Sequence, residues 1–308
     1  MNPSCFFIPL LCGVLAGCAQ AASSPKALAQ AMQSALDRGD FAAARALADL
    51  DAAPAELHFF YFDQVRECAD ESRCTVAVAP LDAEFRQQLA EQAAQEKAEL
   101  PPIEGLVTIA AKAKDGSSSG TMKMPYARIG KDCRIVALRL SPAEIARRRA
   151  ITGEQMLREM FAAGVYDTAL GTRRTDWETA ATRLPADGGE AGAALVAQTR
   201  AMAAAADARD PDAAVRSGGR IAALVYADKD YDGKPVSLEA RKRKLQVQSL
   251  RLLREVKIGG GYRLGDDAAL VVEARDGIGW IERGAVLMSR EGGEWVVSGR
   301  QLTTFPAD

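Results

Sequence analysis

Residues 108–136 read TIAAKAKDGSSSGTMKMPYARIGKDCRIV, and residues 269–297 read ALVVEARDGIGWIERGAVLMSREGGEWVV. The two stretches align without a gap, and Asp115-Gly116 falls on Asp276-Gly277. An Asp-Gly pair between two strand-like runs is typical of a β-hairpin turn. Each stretch therefore predicts three antiparallel strands, so the chain contains the same strand unit twice.

A second pair of similar stretches lies upstream of the strands. Residues 31–45 read AMQSALDRGDFAAAR, and residues 201–216 read AMAAAADARDPDAAVR. Both predict an alanine-rich helix, a break that contains aspartate, and the start of a second helix. Each half then has one long predicted helix. Leu81–Leu100 ends at a pair of prolines, and the helix from Leu238 to about Lys257 ends at Gly259-Gly260-Gly261.

These elements predict an α+β fold with two units, in residues 26–141 and 189–308. Residues 142–188 are predicted to form a helical linker, with helices over 142–163 and 168–184. The aromatic run Leu57–Val65 is predicted to be a strand, and it contains His58, the chain's one histidine. A lone histidine in such a run is typical of a packed residue. A single histidine also excludes zinc sites that need two.

An apolar run lies near the start of the chain, at Phe6–Gly17, and it is too short to span a bilayer. It ends in Leu15-Ala16-Gly17-Cys18, which resembles the lipobox of bacterial lipoproteins. The resemblance implies that residues 1–17 are a signal peptide and that Cys18 carries palmitate-type acyl chains. It also implies sorting to the periplasmic face of the outer membrane, with residues 18–25 as the tether. The alternative is cleavage after Ala21, which would release a soluble secreted protein.

Three cysteines lie beyond this segment, and two of them are close together. Cys68 and Cys74 flank a polar stretch between two apolar runs. In an oxidising compartment they are predicted to form a disulfide that staples a hairpin. The alternative is a pair of reduced cysteines beside a turn. Cys133 lies in a predicted strand and is expected to be a buried free thiol.

Residues 228–239 read DKDYDGKPVSLE and contain four closely spaced carboxylates. The stretch resembles an EF-hand calcium loop. The resemblance implies that calcium is held by the carboxylates of Asp228, Asp230, Asp232 and Glu239 and by the main-chain carbonyl of Lys234. The alternative is a solvated acidic hairpin turn. Calcium is therefore the candidate cofactor of the chain.

Two basic runs, Arg147–Arg149 and Arg241–Lys244, lie on predicted helices. Each is interpreted either as a solvated outer face or as a contact with anionic lipid or an acidic partner. The chain as a whole has 39 Lys and Arg, 41 Asp and Glu, and a formal net charge of −2. This balance gives no support for nucleic acid as a partner.

Two stretches resemble parts of one family. Ser24–Ala27 together with Ala35–Ala44 resembles the start of NTF2-like lipoprotein domains, and Glu291–Val297 resembles their final strand. The resemblance implies a curved antiparallel sheet, wrapped by helices around a cone-shaped cavity. We therefore expect a non-enzymatic envelope lipoprotein that binds a protein partner, for example as an inhibitor or immunity protein. The alternative is a small-ligand-binding protein or an enzyme that uses the cavity.

Overall fold

The computed structural model describes residues 22–167, 172–217, 222, 225–230 and 233–307. The signal-peptide segment, Cys18 and Asp232 lie outside these residues. The fold is α+β, as predicted. The helices are α1 (Pro25–Arg38), α2 (Phe41–Ala46), α3 (Ala55–Asp70), α4 (Ala83–Glu96), α5 (Pro142–Ala150), α6 (Gly153–Ala163), α7 (Trp177–Ala180), α8 (Gly189–Asp207), α9 (Pro211–Ser217) and α10 (Leu238–Gln248), and a 3₁₀ turn covers Ser249–Arg251. The strands are β1 (Ala48–Asp49), β2 (Ser72–Ala79), β3 (Ala98–Glu99), β4 (Gly105–Ala113), β5 (Ser119–Ile129), β6 (Asp132–Val136), β7 (Arg139–Leu140), β8 (Val165–Asp167), β9 (Thr172–Arg174), β10 (Thr182–Leu184), β11 (Arg254–Leu264), β12 (Asp267–Arg275), β13 (Ile281–Glu291) and β14 (Glu294–Phe305).

The first sheet has the strand order β1-β6-β5-β4-β2. β1 pairs with β6 in parallel, and the other neighbours are antiparallel. Helices α1, α2 and α3 pack against one face, because their apolar stripes and alternate strand residues share a buried core. Its buried members include Leu36, Phe62, Val65, Ile109 and Ile135.

The second sheet is antiparallel, with the order β10-β11-β12-β13-β14, and it is covered on both faces. On one face, Leu195 of α8 packs against Leu270 and its neighbours. On the other face, Phe161 of α6 packs in one cluster with Ala269. Successive strand residues point to opposite faces, so β12 supplies both cores.

The two helix–break–helix stretches form the same local structure, as predicted. Gly39 closes α1 with φ 59°, and the Asp40 side chain accepts a main-chain amide of α2 at 2.9 Å. At the corresponding positions Arg209 has φ 52°, and Asp210 accepts a main-chain amide of α9 at 2.9 Å. An aspartate cap and a left-handed residue before it therefore define both breaks.

The two three-strand units are also confirmed. Strands β4, β5 and β6 form one antiparallel meander, and β12, β13 and β14 form the other. Both Asp-Gly pairs lie in the connection between the first two strands of their meander. In the described part of the chain, no helix has the length and apolar character needed to cross a membrane.

The strand predicted at Leu57–Val65 is wrong, because these residues belong to helix α3. The buried residues His58, Tyr61, Phe62 and Val65 recur every three or four residues, which is the spacing of one helix face. Aromatic residues favour strands only weakly, and burial against the first sheet decides the conformation.

The long helix predicted from Leu238 to about Lys257 is shorter, because α10 ends at Gln248 and a strand begins at Arg254. The three glycines predicted to end the helix lie inside β11, where the pairing with β12 shifts register between Ile258 and Gly261. A Cβ atom at Gly261 would lie 2.2 Å from the carbonyl oxygen of Ala269. The glycine therefore permits a close approach of two strands instead of ending a helix. The helix predicted over Leu81–Leu100 is also shorter, because α4 ends at Glu96.

The segment 142–188 contains strands as well as helices, so the predicted all-helical linker needs correction. Thr152 caps α6 with a capping box, which divides the predicted helix over 142–163 into α5 and α6. The described residues of 168–184 form β9, the short helix α7 and β10 instead of one continuous helix. The Phe161 ring stacks on Trp177 with centroids 5.2 Å apart, and β10 pairs with β11. The segment therefore packs as part of the second unit.

The two units contact each other along α3 and α10. The guanidinium of Arg243 forms a bidentate ion pair with Asp70 at the end of α3, with Nε 2.9 Å from Oδ1. Arg251, in the 3₁₀ turn, lies over the Phe59 ring at 5.1 Å from its centroid. Val247 joins the buried core of the first unit. These contacts place α3 beside the end of the second sheet.

Candidate functional site

A groove runs from the first sheet into the cleft between the two units. Its apolar end is a cavity of about 310 Å³ between α3, α4 and the first sheet. Its charged end is a cavity of about 430 Å³ between α3, α4, α5 and β14. Leu57, Phe60, Gln92 and Leu138 line both cavities, so the two adjoin each other. We call them together the inter-unit groove, and each has the volume of a small-molecule site.

One face of helix α4 lines the groove. Phe85, Leu89, Gln92 and Glu96 recur at intervals of three or four residues and all line it. Residues at that spacing share a helix face, so this face changes from apolar to charged along the groove. The remaining residues of α4 are mostly exposed.

The charged end collects ionisable side chains from several elements. They are Glu56, Glu96, Arg148, Arg251, Glu282 and Arg300. Arg148 is held by carboxylates, with its Nε 2.8 Å from Glu144 and its Nη2 3.4 Å from Glu96. Arg300 donates to the main-chain carbonyl of Arg251 at 3.2 Å. Arg251 and Arg300 both line this cavity, and both act electrostatically on Glu282.

Glu282 is the most buried carboxyl of this group, with a side chain only 5% exposed. It lies near the start of β13, opposite Thr304 of β14. Its position has the same parity as Val286 and Met288, so it lies on a core-facing side of the strand. Arg300 Nη1 is 3.8 Å from its carboxylate, which is longer than a hydrogen bond.

The electrostatic surroundings make Glu282 easy to protonate. Burial raises its pKa to about 7, and the negative charges of Asp276 and Glu56 act in the same direction. The positive charges of Arg300 and Arg251 act against it. Burial also raises the pKa of Asp276 to about 6, although its Oδ1 accepts two main-chain amides. A carboxyl with a perturbed pKa in a cleft is typical of a functional site.

The predicted cysteine pair lies at disulfide distance, with the two Cα atoms 5.5 Å apart. Because the preceding run is helical, Cys68 and Cys74 connect the end of α3 to β2, and the predicted hairpin between them is wrong. Cys133 is a buried free thiol in β6, as expected. His58 is packed in the core, where a ring nitrogen lies 2.7 Å from the Leu50 carbonyl oxygen. His58 does not line the groove itself, although its partner Leu50 lines the apolar cavity.

The acidic loop forms a hairpin turn in its described part. The Asp230 amide donates to the Lys234 carbonyl at 2.9 Å, and the Lys234 amide donates to Asp230 Oδ1 at 2.7 Å. The Asp228 carbonyl accepts an amide across the turn at 2.8 Å, and Glu239 pairs with a lysine of α10. Asp232 lies outside the described residues. Within those residues no three His, Cys, Asp or Glu side chains converge on a metal position. The described residues form the hairpin turn of the alternative interpretation, and the calcium site predicted from the sequence stays a prediction.

The basic runs are largely used inside the protein. Arg241 donates to the Tyr226 carbonyl at 2.7 Å and pairs with Asp212, while Arg243 pairs with Asp70. In the other run, Arg147 and Arg148 both bind the buried carboxylate of Glu144. Lys242 also pairs with Glu239, so at least five of the seven charges in the two runs have carboxylate partners within the protein.

Comparisons with protein-family models, with curated proteins and with solved structures find no match to this chain. The functional argument therefore depends on the groove itself. Sequence reasoning missed Glu282 and Arg300, although one signal was present. Glu282 has the same parity along the strand as Val286 and Met288, which face the core. A charged residue at a core-facing strand position is the pattern that marks this site.

Proposed function

We propose that this protein is a non-enzymatic binding protein of the bacterial envelope that holds an amphipathic small molecule in the inter-unit groove. The observation that carries the proposal is the change of chemistry between two adjoining cavities. One is lined mainly by apolar side chains such as Leu89 and Met124, and the other adds arginine and glutamate side chains to an apolar lining. A molecule with an apolar chain and a polar head matches both ends at once.

The fold assignment in this proposal is NTF2-like. In the first unit, four helices precede an antiparallel meander, and an apolar cavity lies between sheet and helices, which supports the assignment. In the second unit, the repeated helix pair and meander support it. Helices α6 and α8 cover both faces of the second sheet, so the apolar end of the groove belongs to the first unit.

The envelope location in this proposal is supported by Leu15-Ala16-Gly17-Cys18 at the end of an apolar run. We expect Cys18 to be acylated and the protein to be held on the periplasmic face of the outer membrane. The intact mass of the mature protein tests this directly. A lipid-bearing N-terminus at Cys18 is the expected result, and an unmodified N-terminus at Ala22 would contradict it. Cys18→Ser should leave the precursor uncleaved.

The binding function is tested at Phe60, which lines both cavities and is 57% exposed. Because Phe60 is not a core residue, Phe60→Ala should leave the unfolding midpoint nearly unchanged. It should weaken the binding of a fluorescent dansyl fatty acid about tenfold, since part of an aromatic contact is lost.

Leu238→Ala is the matched control, because Leu238 is 50% exposed on α10 and lines neither cavity. It should leave binding unchanged. If the wild-type protein does not bind the probe, or if the two variants behave alike, the groove is not the binding site.

The second candidate is the protein-interaction module expected from the sequence. The observation that favours it is the exposure of Phe60 at the junction of the two cavities, where a side chain of a partner protein would also find an apolar contact. The other exposed large apolar residues lie on separate segments: Val78, Leu100, Leu238 and Val297. Protection of Phe60 by a partner, combined with no binding of small amphiphiles, would favour this candidate.

A further inference from the structure

We propose that the ligand of the inter-unit groove is a long-chain carboxylic acid whose carboxylate is bound by Arg251 and Arg300, with Glu282 as a hydrogen-bond donor. This inference rests on the proposed binding function and specifies the chemistry of the head group. Its starting point is a buried carboxyl that lacks a close partner among the described residues.

Glu282 has an unusual environment for a buried acid. Its side chain is 95% removed from solvent, and its nearest ionic partner, Arg300, is 3.8 Å away. Buried carboxylates in proteins normally accept several short hydrogen bonds, because an unpaired buried charge is costly. Glu282 lines the charged cavity, so its free hydrogen-bonding capacity is directed at the space where a ligand would lie.

Both negatively and positively charged groups surround Glu282, and some of them already form ion pairs with each other. Glu96 and Arg148 pair with each other, and Arg148 also binds Glu144. Arg251 stacks on an aromatic ring, and within the described chain it forms no ion pair. The remaining groups that act on Glu282 are Asp276 and Glu56, which are negative, and Arg300, which is positive. Arg148 is thus bound by two carboxylates, whereas within the described residues neither Arg251 nor Arg300 has a carboxylate at hydrogen-bond distance.

A carboxylate fits this arrangement better than a cation or a neutral head. It would pair with the guanidinium groups of Arg251 and Arg300, for which planar carboxylates are well-matched acceptors. Its negative charge would favour the protonated form of Glu282, which can then donate a hydrogen bond to the second carboxylate oxygen. The proton comes from solvent, so binding takes up to one proton for each ligand at pH values well above 7, and less where the free Glu282 is already protonated. A cationic head would instead meet two guanidinium groups.

Proton uptake makes the affinity depend on pH. The free Glu282 titrates near pH 7, whereas a fatty acid carboxyl is ionised well below that pH. Above pH 7, the affinity for the acid should therefore fall by up to about tenfold for each pH unit. A ligand without a charge should show no such dependence.

The experiment is calorimetric titration of the full protein with dodecanoate, dodecanol and dodecyltrimethylammonium at two pH values, about 6.5 and about 8. We expect dodecanoate to bind most tightly and to bind more tightly at the lower pH. Glu282→Gln places a neutral donor at the same position, so it should bind dodecanoate equally at both pH values. Glu291→Gln, at the exposed far end of the same strand, is the control and should keep the wild-type dependence.

The outcomes separate this inference from the proposed function. If none of the three amphiphiles binds, the proposed function fails and the inference fails with it. If the alcohol or the ammonium compound binds as well as dodecanoate, the groove is confirmed and the carboxylate assignment is overturned. If Glu282→Gln keeps the wild-type pH dependence, another group takes up the proton and Glu282 is not the donor.

Discussion

The buried carboxyl of Glu282 should lower the stability of the folded protein at neutral and alkaline pH. Its pKa rises from the ordinary 4.5 to about 7 on folding, chiefly because of burial. The folded state therefore binds the proton more tightly than the unfolded state. Stability from this group is fully present below about pH 4.5 and is lost as pH rises through 7. The full loss amounts to about 3 kcal/mol, since one pKa unit corresponds to about 1.4 kcal/mol.

Glu282→Gln should remove this cost without changing the volume of the side chain. We expect the variant to be more stable than the wild type by up to about 3 kcal/mol near pH 8, and nearly equal to it near pH 5. Urea unfolding followed by tryptophan fluorescence at several pH values measures the difference. Asp276 titrates in both proteins, so its effect on the unfolding free energy largely cancels when the two are compared. Glu178→Gln, which removes an exposed charge, should show no pH-dependent difference. A stability gain for Glu282→Gln that is the same at both pH values would refute the reasoning.

Three further predictions concern other parts of the molecule. Both thiols of Cys68 and Cys74 should resist alkylation in periplasmic material, and replacing both with serine should cost about 2 kcal/mol, since the closed loop is short; free thiols would contradict this. Arg243→Ala should lower the free energy of unfolding in urea by about 2–3 kcal/mol, because the buried Asp70 loses its bidentate partner. An unchanged midpoint would show that this ion pair does not stabilise the contact between the units. Millimolar calcium should leave the melting temperature unchanged, since no three acidic side chains converge in the described part of residues 228–239; a clear rise would support the EF-hand interpretation.

The repeated elements could be predicted from the sequence because they depend on local signals. The Asp-Gly turns and the aspartate caps at Asp40 and Asp210 specify backbone geometry within a few residues. These features gave the α+β class, both meanders and both helix pairs correctly.

The errors occurred where packing between distant segments decides the conformation. Leu57–Val65 forms a helix because one face of it is buried against the first sheet, although its aromatic residues are typical of strands. Gly259–Gly261 lies in a strand because β12 pairs with it, and only the neighbouring strand reveals that pairing. Neither contact can be predicted from the local propensities of the residues.

The inter-unit groove was not predictable as a site, because its residues come from distant parts of the chain. Glu56 and Arg300 line the same cavity, although they lie far apart in the sequence. Only the parity of Glu282 with Val286 and Met288 pointed in advance to a charged residue on a core-facing side of the strand.

The most direct test of the central claim is a crystal structure of the protein with dodecanoate. We expect the carboxylate to lie within hydrogen-bond distance of Arg251, Arg300 and Glu282. We also expect the alkyl chain to pass Phe60 and to end beside Met124 in the apolar cavity. A complex in which the acid occupies another part of the protein, or in which the groove stays free of ligand at saturating dodecanoate, would contradict the claim.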